Sequence, residues 1–321
     1  MRIDIVVPNL NGEPHLPVLL QSLGRQSFED TRIIFVDNGS TDGSIGMFER
    51  LCAELGLNSQ VISLATNTGF SHAVNVGLKA SDTEYVVLLN NDIEADEFLI
   101  ENLYRTIRQK KDAFAASAKM VNFFNRDIID DAGDGYTVLG WGFKSGEGKE
   151  VSAYTEDREI FSACGGAAIY RRSVFDQIGF FDEAFFAYLE DLDISYRARI
   201  YGYRNYFAST AVAYHKASAT TGGKRSSFKT RLVPRNNIYL IYKNMPIPQL
   251  GLNLLPITAG ILVKGVVFSL KGYPREYFSS LLEGITTLSR VRKVRFRKKH
   301  LKNYVRIEKD LILGLWHMMR D

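Results

Sequence analysis

This sequence predicts an α/β fold built on a doubly wound, mixed but mainly parallel sheet, with a helical, membrane-associating extension at its C-terminal end. Three observations predict it. Short β-rich runs alternate with helical patterns through the first hundred residues. One run, EYVVLLNND at 84–92, is apolar almost without a break, as a strand buried on both faces must be. The residues just past each expected strand end are amides, carboxylates and glycines, which is the lining of a ligand cleft at the carboxyl edge of such a sheet.

Taken in order, IDIVVP is the first strand, a helix follows over 17–26, and RIIFVD is the second strand. A helix over 42–55, the strand SQVISLA, a helix over 69–80 and the buried strand complete the βαβ series. The stretch 121–158 contains DDAGDGYTVLGWGFKSGEGKE; rich in Gly and Asp, it is expected to be an irregular lid or acceptor loop. From Phe161 the pattern is strand, helix, turn, helix, strand. The character changes after Pro234. The expected organisation is a main unit 1–244, with halves at 1–120 and 121–244, followed by the extension 245–321.

A chain of 321 residues with 45% apolar and 24% charged residues is neither disordered nor a multi-span membrane protein. Cys52 and Cys164, its two cysteines, make no disulfide framework and fit a reducing compartment. The opening MRIDIVVPNLNG lacks the charged start, long apolar core and cleavage site of a signal peptide, so a cytoplasmic location is expected. Nine Lys and Arg residues accumulate between Glu283 and Glu308 with no acidic residue among them. Before them, 250–270 is long enough to span a membrane, but Pro256 and Lys264 argue for an interfacial or re-entrant helix. Val291, Val294, Phe296, Leu301 and Tyr304 interleave with the basic residues, a composition suited to an anionic membrane surface, with a solvated helical face as the alternative. Nucleic acid is not expected, since no recognition motif accompanies the charge.

A nucleoside diphosphate held at strand ends needs backbone donors, a cation and a polar group that reads the base. Asp37, in VDNGSTDGS, fits a base-imide acceptor, although turn and helix-cap chemistry explains the same residues. Asp92, after Asn90 and Asn91 in LLNND, offers the oxygen ligand that Mg²⁺ or Mn²⁺ prefers; helix capping is the alternative. Glu190, Asp191 and Asp193 crowd the start of a helix, and crowding raises a carboxyl pKa toward what a general base needs. Asp191 takes that role here, while Asp193 with Arg197 makes an ordinary i,i+4 pair. His215 follows a β-rich run and can reach the same cleft, although a lone histidine is more often a surface or capping residue.

These pieces, in order, resemble glycosyltransferase family 2 with the GT-A fold of nucleotide-diphospho-sugar transferases, and its rhamnosyltransferase-like branch in particular. The resemblance rests on VPNLNG, VDNGSTDGS, NTGFSHAVNVG, LLNND, CGGAAIYRR, GFFDEAFFAYLEDLDISYRA, GYR, YHKASA and PRNNIYLIYKN, spanning about 3–244. It implies that 1–120 binds the nucleotide sugar and 121–244 binds the acceptor and catalyses. Pro8, Asn9, Asn11, Asp37, Asn67, Gly69, Phe70, Asn75, Asn90 and Asn91 would then surround the donor. Gly165, Gly166 and Trp141 fall on the acceptor side. Asp92 stands in the family's metal motif, where Asn90 replaces the usual first carboxylate, and His215 matches a later metal-ligating histidine. Asp191 matches the catalytic base, with Glu190 beside it. The reaction implied is inverting transfer with Mg²⁺ or Mn²⁺, from dTDP-rhamnose or, failing that, a UDP-hexose. The acceptor would be a saccharide, and the membrane-suited C-terminal composition points to a lipid-linked one at the inner face of the cell membrane; a homodimer is compatible with the sequence. Nucleotidyl transfer and a silent sugar-nucleotide-binding protein are the competing classes; VPNLNG has no triphosphate loop, and the retained carboxylates oppose the second.

Overall fold

The computed structural model describes residues 1–216 and 227–320. Its first half alternates β1 (Ile3–Asn9), α1 (Leu16–Leu23), β2 (Thr31–Asp37), α2 (Ser44–Leu55), β3 (Ser59–Ser63), α3 (Phe70–Ala80) and β4 (Tyr85–Leu89). Then come β5 (Ile93–Ala95), α4 (Leu99–Gln109), β6 (Ala113–Asn122), β7 (Ile129–Asp131), β8 (Asp134–Tyr136), β9 (Gly142–Lys144) and β10 (Arg158–Ile160). The second half continues with β11 (Ala167–Arg171), α5 (Arg172–Ile178), α6 (Glu190–Tyr201) and β12 (Arg204–His215). Four helices close the chain: α7 (Ser227–Asn244), α8 (Ile247–Leu270), α9 (Pro274–Thr286) and α10 (Leu301–Arg320).

One sheet runs β10-β12-β6-β11-β4-β1-β2-β3, with β5 and β7 added beside β12 and β6. β4, β1, β2 and β3 are mutually parallel, and β11 enters antiparallel between β4 and β6. Every residue of β4 is buried, as its unbroken apolar run requires. One core packs α1, α2 and α4 on one face, centred on residues such as Leu19, Phe48 and Leu103. The other face carries α3, α5 and α6 through Val74, Phe175 and Ile194.

Three sequence expectations need correction. The stretch 121–158 is not a free irregular lid: β7 extends the sheet, β8 and β9 pair, and Tyr136 is fully buried in a core shared with α6 and α7. Helix α2 starts at Ser44 rather than at 42 and is held by Asp42, whose Oδ1 accepts from the Ser44 N–H (3.1 Å) and hydroxyl (2.6 Å). Pro234 lies inside α7 and ends nothing. The backbone it frees is served by Ser280 of α9, which accepts from Arg235 N–H (3.0 Å) and donates to Arg231 O.

Residues on both sides of position 244 meet in one apolar cluster: Tyr136, Phe185, Tyr196 and Tyr239 pack with Ile257, Tyr304, Ile307 and Leu311. The C-terminal helices are thus fastened to the 121–244 half of the chain.

Candidate active site

The first wall of the cleft is a hydrogen-bonded web between strand ends. Asn9 donates its amide to Asp37 Oδ1 (2.9 Å) and accepts from Asn91 Nδ2 (2.7 Å), tying the ends of β1, β2 and β4 together. The Asp37 carboxylate also accepts from the Ser40 hydroxyl (2.6 Å) and N–H (3.0 Å), so it shapes the turn that sequence chemistry allowed. Asn11, exposed at the rim with φ 51°, accepts from Thr41 N–H at 2.8 Å. Pro8 pairs with Val36 beside it.

Asn38, buried and given no role by the sequence reading, controls the next loop. Its oxygen accepts from Thr68 N–H and hydroxyl, both at 2.9 Å, and its amide donates to Asn67 Oδ1 and Gly69 O, both at 3.2 Å. Gly69 sits at φ +91°, and a Cβ there would lie 2.7 Å from Phe186, so only glycine allows this approach. Phe70 opens α3 behind it, half-buried. Asn75, expected at the donor, is turned to another task. Both its amide hydrogens are engaged, by Phe181 O (2.8 Å) and Glu183 Oε1 (2.9 Å), and its oxygen accepts from Phe181 N–H (3.0 Å). It braces the segment leading to Asp191.

The pairing of β12 with β5 sets His215 opposite Ile93 and hence beside Asp92. His215 Nε2 lies 3.3 Å from Asp92 Oδ1 and its Nδ1 lies 2.8 Å from Asp130 Oδ2. Lys144 Nζ reaches the same Asp130 oxygen at 3.1 Å. Burial opposes a charge on His215, but the two carboxylates outweigh it and raise the imidazole to about 9. Burial likewise opposes the Asp130 anion, yet His215 and Lys144 hold that carboxyl at about 2. Two cis ligands on an octahedral cation with bonds of about 2.1 Å stand about 3 Å apart, so the separation of Asp92 and His215 fits Mg²⁺ or Mn²⁺. Asp130 completes the arrangement found at metal-bound imidazoles, a carboxylate on the second ring nitrogen.

Across the cleft, Glu190 and Asp191 open α6. Three of the four non-glycine residues with positive φ among the described residues, Phe186, Tyr188 and Leu189, form the turn just before them. That turn is clamped from α7: Asn236 Nδ2 donates to Phe185 O, Ala187 O and Tyr188 O at 2.8–2.9 Å, and Arg235 reaches Phe185 O at 3.1 Å. Burial pushes the Asp191 carboxyl up to about 6; backbone N–H groups of Leu192 and Gly165 pull it down, and the charge of Asp131 adds to the rise. Burial and the Asp191 charge push Glu190 to about 8, and its Oε2 has no hydrogen-bond partner among the described residues. Burial, more than the crowding the sequence suggested, tunes this pair. Asp193 makes the expected i,i+4 pair with Arg197 (2.8 Å) and a second ion pair with Lys243 (2.9 Å).

Gly165 brings its backbone to Asp191, and a Cβ there would meet the Phe70 ring at an ordinary 3.7 Å. Gly166 O accepts from Asn90 N–H at 2.9 Å. Trp141 is half-buried, and its indole N–H donates to Gly260 O of α8 at 3.1 Å. Asp131, Asp134 and Cys164 each bring a ligand atom within 4.8 Å of the others, next to Lys144. His15 lies near enough to Asp92 and Lys216 to feel both charges, although burial is the main cause of its lowered pKa. Of these, Asn38, Asp130 and Asn236 carried no signal beyond their place within motifs.

The match to a family model described as glycosyl transferase family 2 covers residues 4–179, more than half the chain. The N-acetylglucosaminyl-diphospho-decaprenol L-rhamnosyltransferase of Mycobacterium tuberculosis is 26% identical over 242 residues, 68% of this chain and 77% of the relative. The Staphylococcus aureus TarS 1–349 structure in complex with UDP-GlcNAc aligns with a TM-score of 0.62 and 20% identity, covering 97% of this chain and 88% of that one. The structure of GalNAc-T7 with UDP, GalNAc and Mn²⁺ gives 0.61 and 15%, covering 75% of this chain and 47% of that one. Such neighbours establish the GT-A architecture with its mainly parallel sheet. With the cleft at the strand ends and the ordered motifs along it, the chain belongs to glycosyl transferase family 2.

Proposed function

We propose that this protein is an inverting, divalent-metal-dependent glycosyltransferase that moves rhamnose from dTDP-rhamnose to a saccharide acceptor, lipid-linked, in cell-surface polysaccharide synthesis. The observation carrying the chemistry is Asp191: a half-buried carboxylate, raised to about 6, aimed by a strained and clamped turn. At neutral pH it is mostly ionised yet basic enough to take the proton of an acceptor hydroxyl. The hydroxyl then attacks the anomeric carbon from the face opposite the leaving diphosphate, and the configuration inverts. Glu190 stays largely protonated at that pH, which leaves a single base.

Asp92 and His215 are the residues that would hold Mg²⁺ or Mn²⁺, with Asp130 fixing the imidazole. A cation bound there supplies positive charge to offset the departing diphosphate. The Asp131–Asp134 pair is a second place for a cation, but Lys144 already brings positive charge to it. The web from Pro8, Asn9 and Asn11 to Asp37, and from Asn67 to Phe70, forms the nucleoside side; Asn90 and Asn91 join it to the metal corner. Gly165, Gly166 and Trp141 face the acceptor side in this scheme.

Rhamnose is supported by the activity of the rhamnosyltransferase relative and dTDP by the resemblance to that branch; a UDP-hexose is the second reading, favoured by the UDP-GlcNAc complex of TarS. A lipid-linked acceptor places the enzyme at the inner face of the membrane, as a peripheral protein. A panel of nucleotide sugars with Mn²⁺ or Mg²⁺, scored by thermal stabilisation, tests the donor, because a ligand that binds only the folded state raises its stability. dTDP-rhamnose is expected to give the largest shift. A larger shift with a UDP-sugar replaces the donor, and no shift with any member counts against the whole reading.

A further inference from the structure

Helix α8 is amphipathic the wrong way round for a soluble protein. Its inner face carries Gln249, Asn253, Gly260 and Lys264, while Leu252, Leu255, Leu262, Val266 and Leu270 are 60–83% exposed on the outside. Its neighbours repeat the pattern. Helix α9 exposes Phe278, Leu282 and Ile285 at spacings of four and three, and α10 exposes Leu301, Val305, Ile312, Trp316 and Met319 along one stripe. Of the exposed large apolar side chains among the described residues, all but Met1, Leu55, Phe98, Phe124 and Phe228 lie in this C-terminal segment.

The three helices are neighbours in space. Tyr277 of α9 donates to Ile261 O (2.9 Å) and stacks on Phe268 at 4.9 Å. Glu308 of α10 accepts from Gln249 (2.9 Å) and Asn253 (2.8 Å). Beside them, Arg290, Arg292, Arg295, Arg297, Lys298, Lys299 and Lys302 are exposed, and none makes an ion pair among the described residues.

By length and composition α8 is a membrane-spanning candidate. Its attachments exclude that orientation. Gln249 accepts from Tyr196 of α6 at 3.1 Å, a Cβ on Gly260 would overlap Leu139 O, and Lys264 Nζ lies 5.2 Å over the Trp141 ring. From Gln249 to Phe268 the inner face is fastened to the protein along about 28 Å of helix, close to the full thickness of a bilayer core of about 30 Å. Spanning would carry Glu308, Lys264 and the acceptor-side loop into hydrocarbon.

We propose that α8, α9 and α10 form one monotopic facet that lies in the headgroup plane of an anionic membrane, with the basic segment 290–302 on the lipid phosphates and the loop 137–142 held against its inner side. The facet deepens the membrane-surface part of the proposed function and rests on it. Both charge and apolar area contribute to such binding, so it needs anionic lipid and an intact apolar face together.

The test is flotation of the full chain with vesicles of equal phosphatidylglycerol and phosphatidylcholine, and with phosphatidylcholine alone. Binding is expected on the anionic vesicles, weaker by about ten-fold on neutral ones and by about ten-fold for Leu255→Glu with Val266→Glu, and reversed by alkaline carbonate. These two positions are exposed, so the variant should melt and bind nucleotide as the parent does. Flotation unaffected by the substitutions, resistance to carbonate, or a soluble dimer that the same substitutions split would each overturn the proposal. The readout is lipid binding, so a failure of the glycosyltransferase reading would appear in the donor panel and not here.

Discussion

His215 Nε2 stands 3.3 Å from Asp92 Oδ1, although the two are 123 positions apart in sequence. The β5–β12 ladder makes the contact, and Asp130 on the other ring nitrogen fixes which edge of the imidazole faces Asp92. In the proposed scheme this corner holds the Mg²⁺ or Mn²⁺ ion.

Asp130→Ala should weaken Mn²⁺ binding by about 10- to 100-fold, as loss of a carboxylate behind a metal-bound histidine does. Calorimetric titration of the protein with Mn²⁺ alone checks it. Unchanged affinity would remove Asp130 from the site.

Asn236→Ala removes the donor shared by three carbonyls of the turn before Asp191. The expected result is a kcat lower by about ten-fold or more, with donor KM little changed, because the base is misaimed while the nucleotide wall is intact. Steady-state kinetics with varied donor separate the two parameters.

Asp191 must be ionised to act, and it is raised to about 6. The kcat/KM profile should therefore fall on the acid side with a midpoint near 6 and level off above it. A midpoint near 4 would mean that burial does not tune this carboxyl.

Glu190 gives a stability signature. Its pKa is raised on folding from 4.5 to about 8, so the stability linked to it is present below 4.5 and lost as pH climbs through 8. Glu190→Gln should therefore gain on the parent by about 2 kcal/mol or more between pH 5 and pH 8.5. Denaturant melts at the two pH values measure the difference.

Much of this was legible in the sequence. The buried run of β4, the polar strand ends and the carboxylates of α6 announce themselves by composition and spacing. What stayed hidden depends on long-range geometry. Asn38 and Asn236 act by bonding backbone of loops about 30 and 50 positions away, and no local pattern distinguishes such a clamp from a surface amide. Asn75 sits inside a motif, yet its amide serves Phe181 and Glu183. Asp130 reads as one of several loop acids until β7 carries it to His215. The extent of 121–158 that packs was concealed because Gly and Asp mark irregular backbone whether or not it is buried.

The central claim is that Asp191 removes the acceptor proton. Transfer by Asp191→Asn at saturating donor and Mn²⁺, compared with the parent, tests it most directly. A loss of about 10²–10⁴-fold in kcat with unchanged donor affinity is the predicted result. Transfer at the parent's rate would contradict it.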